Sequence, residues 1–209
     1  MKKPITGVIL AGGLNSRFNG INKAFIEIDG QTILQRQYRL LRELFDEVII
    51  VTNDPQTVLE FDCLVAVDLF SNRASLTGIH TGLFYASNDH VFICACDTPF
   101  LKRALVETIT DATHLPTGVT MPATSAGLEP LCAVYAKKCL SLVERHVSQN
   151  QMKIQRVFGK KRIRLISEQK LRLADPDLVS FFNINRPEDL ELARQMCLGG
   201  ECLTSLKTR

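Results

Sequence analysis

Two cations bracket a glycine pair near the start of the chain. The apolar run Ile5–Leu10 leads through Ala11 into Gly12-Gly13, and Arg17 and Lys23 follow. Glycines can take positive φ at no steric cost, so consecutive N–H groups can turn inward as an anion nest to which the two side chains add full charges. That set suits phosphate binding. It lacks both the Gly-Lys-Ser/Thr ending of a P-loop and the three-glycine spacing of a dinucleotide fingerprint. An ordinary strand-to-helix turn is the simpler reading, yet a turn needs one glycine and has no use for both cations. Aspartates offer a second chemistry. Asp97 directly follows the apolar run Val91–Cys96 and precedes Thr98-Pro99. A carboxylate pinned there can hold a hard metal ion, and the same position equally suits a turn aspartate before proline. Asn53 and Asp68 end the runs Val48–Thr52 and Leu64–Val67 in the same way.

The elements that must place these residues alternate between strand and helix from residue 5 to residue 112. Continuous β-branched runs predict strands covered on both faces, hence a mostly parallel α/β sheet. In such sheets ligands bind beyond the carboxyl ends of the strands, so the loops at Gly12, Asn53, Asp68 and Asp97 should converge. A short strand over Phe25–Ile28 turns at Asp29-Gly30 into a helix from Gln31 to Leu44, striped by Leu34, Tyr38, Leu41 and Phe45. A second helix carries Ile79, Leu83 and Phe84, with Gly78 near its start. Further on, Val119–Ala123, Pro130–Tyr135, Arg162–Ile166 and Phe181–Asn185 read as strands, and Lys137–Val147 and Met152–Phe158 as helices. Pro187 opens the last helix, with carboxylates near its positive end. One domain over residues 1–196 and a patternless tail over 197–209 are expected.

Composition narrows the field. The 209 residues are 45% hydrophobic and 22% charged, with a net charge of +3, which points to no nucleic-acid partner. No run is long enough to span a bilayer and no secretory leader is evident, so a cytoplasmic protein without a membrane partner is expected. Seven cysteines form no Cys-x-x-Cys pair and read as reduced core thiols, with Cys94 and Cys96 on one face of a strand. No histidine has a partner for a triad and no serine sits in a nucleophile elbow, so no covalent intermediate is implied. The dense basic run of Arg156, Lys160, Lys161, Arg162 and Arg164 reads as a solvated face.

The pattern Leu10-Ala11-Gly12-Gly13, then Arg17, then Gly20-Ile21-Asn22-Lys23, resembles the signature of nucleotidyltransferases with a Rossmann-like fold, most closely the molybdenum cofactor guanylyltransferases. Cys96-Asp97-Thr98-Pro99 is similar to the Cys-Asp-x-Pro metal motif of that family. Asn183-Ile184-Asn185-Arg186-Pro187-Glu188-Asp189-Leu190 resembles its Asn-x-Asn-x-Pro-Glu-Asp/Glu-Leu segment. The resemblance implies a three-layer Rossmann-like nucleotidyltransferase fold with a mostly parallel central sheet. It implies transfer of GMP from GTP to molybdopterin-bound molybdenum cofactor, releasing pyrophosphate. Mg2+ would be held by Asp97 and by Asn185, although Asn185 also suits an N-cap. Arg17, Lys23 and Asp97 would be catalytic, with Lys23 on the β and γ phosphates and Arg17 on the leaving pyrophosphate. Leu10, Ala11, Gly12 and Gly13 would join Lys23, Asn53, Asp68, Gly78 and Asp97 in binding the nucleotide. Other cofactor-biosynthesis or molybdoenzyme-maturation proteins would be partners, and a monomer is expected. The sequence departs from the family where Asn22 replaces the usual aspartate and where Arg73–Gly78 replaces a glycine-proline-rich loop. Two rivals stay open: a related nucleotidyltransferase using CTP or acting on a sugar or alcohol phosphate, and a non-catalytic nucleotide-binding regulator of the same fold.

Overall fold

The opening apolar run forms strand β1, Lys3–Leu10, buried from Ile5 onward, in a computed structural model that describes residues 2–12, 17–18, 21–72, 74–114, 118–159 and 162–198. Two small ribbons follow: β2 (Arg17–Phe18) pairs with β3 (Ile21–Asn22), and β4 (Glu27–Ile28) with β5 (Gln31–Thr32). The second turns through Asp29 and Gly30, both at positive φ, as a two-residue hairpin requires. Phe25, expected in a strand, instead closes a 3-10 turn, Lys23–Phe25.

Helix α1 (Ile33–Leu44) begins later than the predicted Gln31 because Thr32 takes the N-cap. Thr32 Oγ1 accepts from Gln35 N at 3.1 Å and Gln35 Oε1 accepts from Thr32 N at 3.0 Å, a capping box. The buried stripe of α1 is Ile33, Leu34, Gln37, Leu41 and Leu44. The predicted row through Tyr38 and Phe45 is displaced: Tyr38 lies half-buried at the flank, and Phe45 already opens β6 (Phe45–Val51).

The chain continues through β7 (Leu64–Ala66), α2 (Ser75–Tyr85), β8 (His90–Ala95) and α3 (Arg103–Asp111). Phe84, assigned to the apolar stripe of α2, is 51% exposed at the end of that helix. Beyond α3 come β9 (Val119–Thr124), β10 (Gly127–Leu128) and β11 (Cys132–Ala136). The predicted helix at Lys137 begins as a 3-10 turn before α4 (Leu140–Ser148), and the one at Met152 contracts to α5 (Ile154–Val157). β12 (Ile163–Ser167), α6 (Glu168–Ala174) and α7 (Pro187–Leu198) complete the order, α7 passing the expected boundary at residue 196.

The main sheet runs β10-β9-β11-β8-β1-β6-β7, with β12 along β9. β1 is parallel to β6 and β8, β6 to β7, and β9 to β12; β11 enters antiparallel between β8 and β9. Successive residues of a strand face opposite sides. Ile9 and Ile50 therefore join the core beneath α1 and α3, with Leu34, Leu41 and Ile109, whereas Val8 and Ile49 join the core beneath α2 and α4, with Leu76, Ile79 and Val143. Helices thus cover both faces, which is the three-layer architecture expected. Cys94 and Cys96 share one of these cores, as their spacing implied.

Phe181–Asn185 does not form the predicted strand. Asp175 Oδ2 accepts from Ser180 N at 2.8 Å, and Leu178, at φ 53°, turns the chain into a 3-10 turn, Val179–Phe181. Ile184 then leaves the sheet side and packs with Ile26, Ile28 and Ile33 in a small separate core.

Candidate active site

Because β1, β6, β7 and β8 are parallel, their carboxyl ends lie at one edge. Backbone bonds carry the order past the strands: Ala11 N donates to Val51 O at 2.8 Å, Thr52 N to Ala66 O at 2.9 Å, and Cys96 N to Leu10 O at 3.2 Å. A cleft of about 250 Å3 opens at this edge, walled by Gly12, Lys23, Asp68, Gly78, Asp97 and Asn185. Leu10, Val51 and Leu131 also line it.

Lys23 is 6% exposed, which a lysine tolerates only when its charge is answered. Its Nζ donates to Asn185 Oδ1 at 2.8 Å and stands 3.8 Å from Asp97 Oδ2. Asn22 fixes the turn that carries it. Asn22 Oδ1 accepts from Ala24 N at 3.0 Å, and Asn22 Nδ2 donates to Ala11 O at 3.4 Å. An aspartate could make the first bond but not the second, so the departure from the family pattern ties the end of the loop to the end of β1.

Asn185 arrives from the far end of the chain. Ile184, buried in its own core, donates its N–H to Asp97 O at 2.9 Å, which sets the two segments side by side. The N-cap alternative for Asn185 falls away. Helix α7 opens at Pro187, and Asp189 Oδ2 accepts from the N–H groups of Asn185 and Arg186 just ahead of it, both at 2.8 Å, while the Asn185 side chain turns to Lys23. Asp97 is mostly shielded. Burial pushes its carboxyl above the ordinary aspartate range, and the Lys23 ammonium and a backbone hydrogen bond pull back only in part.

On the other wall, Asn53 Nδ2 donates to Asp68 Oδ2 at 2.9 Å. Asn53 thereby orients Asp68 and does not itself line the cleft. A Cβ on Gly12 would come within 3.1 Å of Asn53 Nδ2, so a side chain there would push on the residue that holds Asp68. Gly78 lets α2 settle onto Leu10, whose Cδ2 would lie 3.0 Å from an added Cβ. Ala11 is buried at the end of β1. Gly13 and the side chain of Arg17 lie outside the described residues, as do Lys160, Lys161 and Arg73.

Several contributors carried no sequence signal of their own: Leu131 in the lining, the opening residues Ala74 and Ser75 of α2, and Gln37 with Thr98 behind the Asp97 turn.

Oxygens from an aspartate and an asparagine already converge on one cation here. Among the described residues no group of three His, Cys, Asp or Glu side chains could hold a metal by itself. A pair of protein oxygens completed by phosphate and water is the habit of a small hard divalent ion.

An α/β sheet with such a cleft at its switch edge is the frame of a nucleotidyltransferase. Within that class the chain belongs to the MobA-like NTP transferase domain family, whose model matches residues 7–165. It is 47% identical over 196 residues to the molybdenum cofactor guanylyltransferase of Desulfosudis oleivorans, covering 94% of this chain and 97% of that one. It is 30% identical to a probable molybdenum cofactor guanylyltransferase of Clostridium perfringens, covering 89% and 94%. The crystal structure of molybdopterin-guanine dinucleotide biosynthesis protein A from Archaeoglobus fulgidus superposes with a TM-score of 0.81 at 25% identity, covering 92% of this chain and 98% of that one. Among the described residues no helix is long and apolar enough to cross a membrane.

Proposed function

We propose that the chain transfers GMP from GTP to the terminal phosphate of molybdopterin-bound molybdenum cofactor, with Mg2+ as the metal. A phosphate oxygen of the acceptor forms the new bond to the α-phosphorus, the bond from that phosphorus to the β-phosphate oxygen breaks, and pyrophosphate leaves with the electron pair. The attacking oxygen is already anionic near neutrality, so positioning and charge neutralisation matter more than a general base.

The observation that carries this reading is the meeting of Lys23, Asp97 and Asn185 in one cleft, from positions 162 residues apart along the chain. Lys23 would neutralise the β and γ phosphates. Asp97 and Asn185 would hold Mg2+, which when bound supplies Lewis-acid polarisation of phosphate oxygens. Gly12 would let the backbone approach the triphosphate, and the start of α2, which no side chain caps, would add the positive end of a helix to that wall. Asp68, steadied by Asn53, would accept from the ring N–H and amino group of guanine, a donor pair that cytosine lacks. Arg17 would face the departing pyrophosphate.

The test is incubation of purified protein with Mg2+, molybdenum cofactor and each triphosphate in turn, measuring pyrophosphate and the dinucleotide product. Product with GTP is expected. Product with CTP alone overturns the guanine assignment, and triphosphate binding without product favours a regulatory protein.

A further inference from the structure

Gln37 occupies the centre of the buried stripe of α1, between Leu34 and Leu41, and is 1% exposed. Its Nε2 donates to Ala95 O at 2.7 Å, to Thr98 O at 3.0 Å and to Thr98 Oγ1 at 3.0 Å. Thr98 Oγ1 in turn donates to Ala95 O at 3.0 Å. These bonds close a ring across the turn from Ala95 to Thr98, with Asp97 inside it. The orientation of the amide follows from its surroundings: reversing it would set Oε1 against the carbonyls of Ala95 and Thr98.

Gln37 Oε1, by contrast, is buried with no hydrogen-bond partner among the described residues. An apolar residue would complete the stripe without that penalty, so it is the donors that distinguish glutamine at this position. They act on the segment that carries the proposed metal ligand. On the far side of the same turn, Asp97 O accepts from Ile184 N at 2.9 Å, the bond that brings Asn185 alongside. The turn is thus held from α1 at its two ends and from the Ile184 segment at its middle.

We propose that Gln37 is a positioning residue of the metal site. By closing the Ala95–Thr98 turn it aims the Asp97 carboxylate and, through the Ile184 bond, sets Asn185 in register with it, while touching neither nucleotide nor metal. This rests on the reading of Asp97 and Asn185 as the metal-holding pair.

The test is Mn2+ binding to the purified full chain in the presence of a non-hydrolysable GTP analogue, followed by the electron paramagnetic resonance of free Mn2+. Gln37→Met keeps the volume and removes the donors. It should weaken Mn2+ binding about 10- to 100-fold, the loss typical of outer-shell partners, while KM for GTP at saturating metal stays near the wild-type value. Thr98→Val removes one acceptor and should show a smaller loss in the same direction. A folded Gln37→Met protein with wild-type Mn2+ affinity overturns the proposal and leaves Gln37 a core residue. If Gln37→Met does not fold, unchanged Mn2+ affinity in Thr98→Val overturns it instead. Asp97→Asn separates the two readings: undiminished Mn2+ binding there removes the metal assignment itself, whereas loss there with no effect at Gln37 removes only the positioning role.

Discussion

The two walls of the cleft are built differently. On the wall proposed to take the phosphates, Lys23, Asp97 and Asn185 come from three distant parts of the chain: Lys23 bonds Asn185 at 2.8 Å and stands 3.8 Å from Asp97, Ile184 N donates to Asp97 O at 2.9 Å, and Gln37 braces the central turn from behind at 2.7 Å. On the wall proposed to face the base, Asp68 follows β7, a three-residue strand at the sheet edge, and accepts from Asn53 Nδ2 at 2.9 Å. Leu64, which opens that strand, and Val67, which follows it, are both 45% exposed. On the proposed assignment, chemistry shared by every triphosphate would be anchored in the interior, and the choice of base would rest on the edge strand of the sheet.

The sharpest way to break this comparison is Lys23→Met. Removing a preorganised charge that acts on the transferring phosphates should cost about 2.7–4 kcal/mol in the transition state, a fall in kcat of about 100- to 1000-fold. Pyrophosphate release at saturating GTP measures it, with circular dichroism to confirm folding. Near-normal turnover in a folded variant would remove Lys23 from the reaction.

Asp68→Ala should behave otherwise. It deletes the proposed acceptor for the guanine edge, and leaving ring donors unpaired costs about 1–3 kcal/mol. The ratio of kcat/KM for GTP over CTP should fall by about 5- to 150-fold, with most of the change in KM. A collapse of kcat as deep as that of Lys23→Met would show that the two walls are not separable.

Much of the interior wall was legible in the sequence because its residues follow directly from strands. The runs ending at Leu10 and Cys96 announce their own burial, and Gly12, Lys23 and Asp97 stand within reach of those ends. Asn185 was legible only as a motif, since nothing local says that its side chain turns away from the helix it precedes. The apolar residues Phe182 and Ile184 alternate with asparagines like a strand, yet no edge of the sheet receives them; they join the separate core around Ile26 and Ile33, while Phe181 packs against the main core. Gln37 was illegible for a different reason. A polar residue on a helix reads as solvent-facing unless its partners are known, and those partners are carbonyls 58 and 61 residues away.

Asn22→Asp gives a smaller effect that sharpens the phosphate wall. The aspartate keeps the cap on Ala24 N but cannot donate to Ala11 O, and the bond lost is long, at 3.4 Å. Its net worth is no more than about 0.5–1.5 kcal/mol, so KM for GTP should rise a few-fold, with kcat nearly intact. Equality with wild type would show that capping alone places Lys23.

The smallest effect is on stability, and its sign runs against activity. Burial holds the Asp97 carboxyl above the ordinary aspartate value of about 3.9, despite the opposing pull of Lys23. Between that value and the raised native one, the folded chain binds more protons than the unfolded chain, so stability falls as pH rises through this window and the penalty is complete above it. Asp97→Asn removes the penalty. That variant should melt above wild type near neutral pH, and the difference should shrink as pH falls through the raised value towards the ordinary one. Melting curves collected from neutral pH downward test this directly. A variant less stable than wild type at neutral pH would mean that the Lys23–Asp97 pair contributes net stability, and the phosphate wall would then be held together by its charges as well as by its hydrogen bonds.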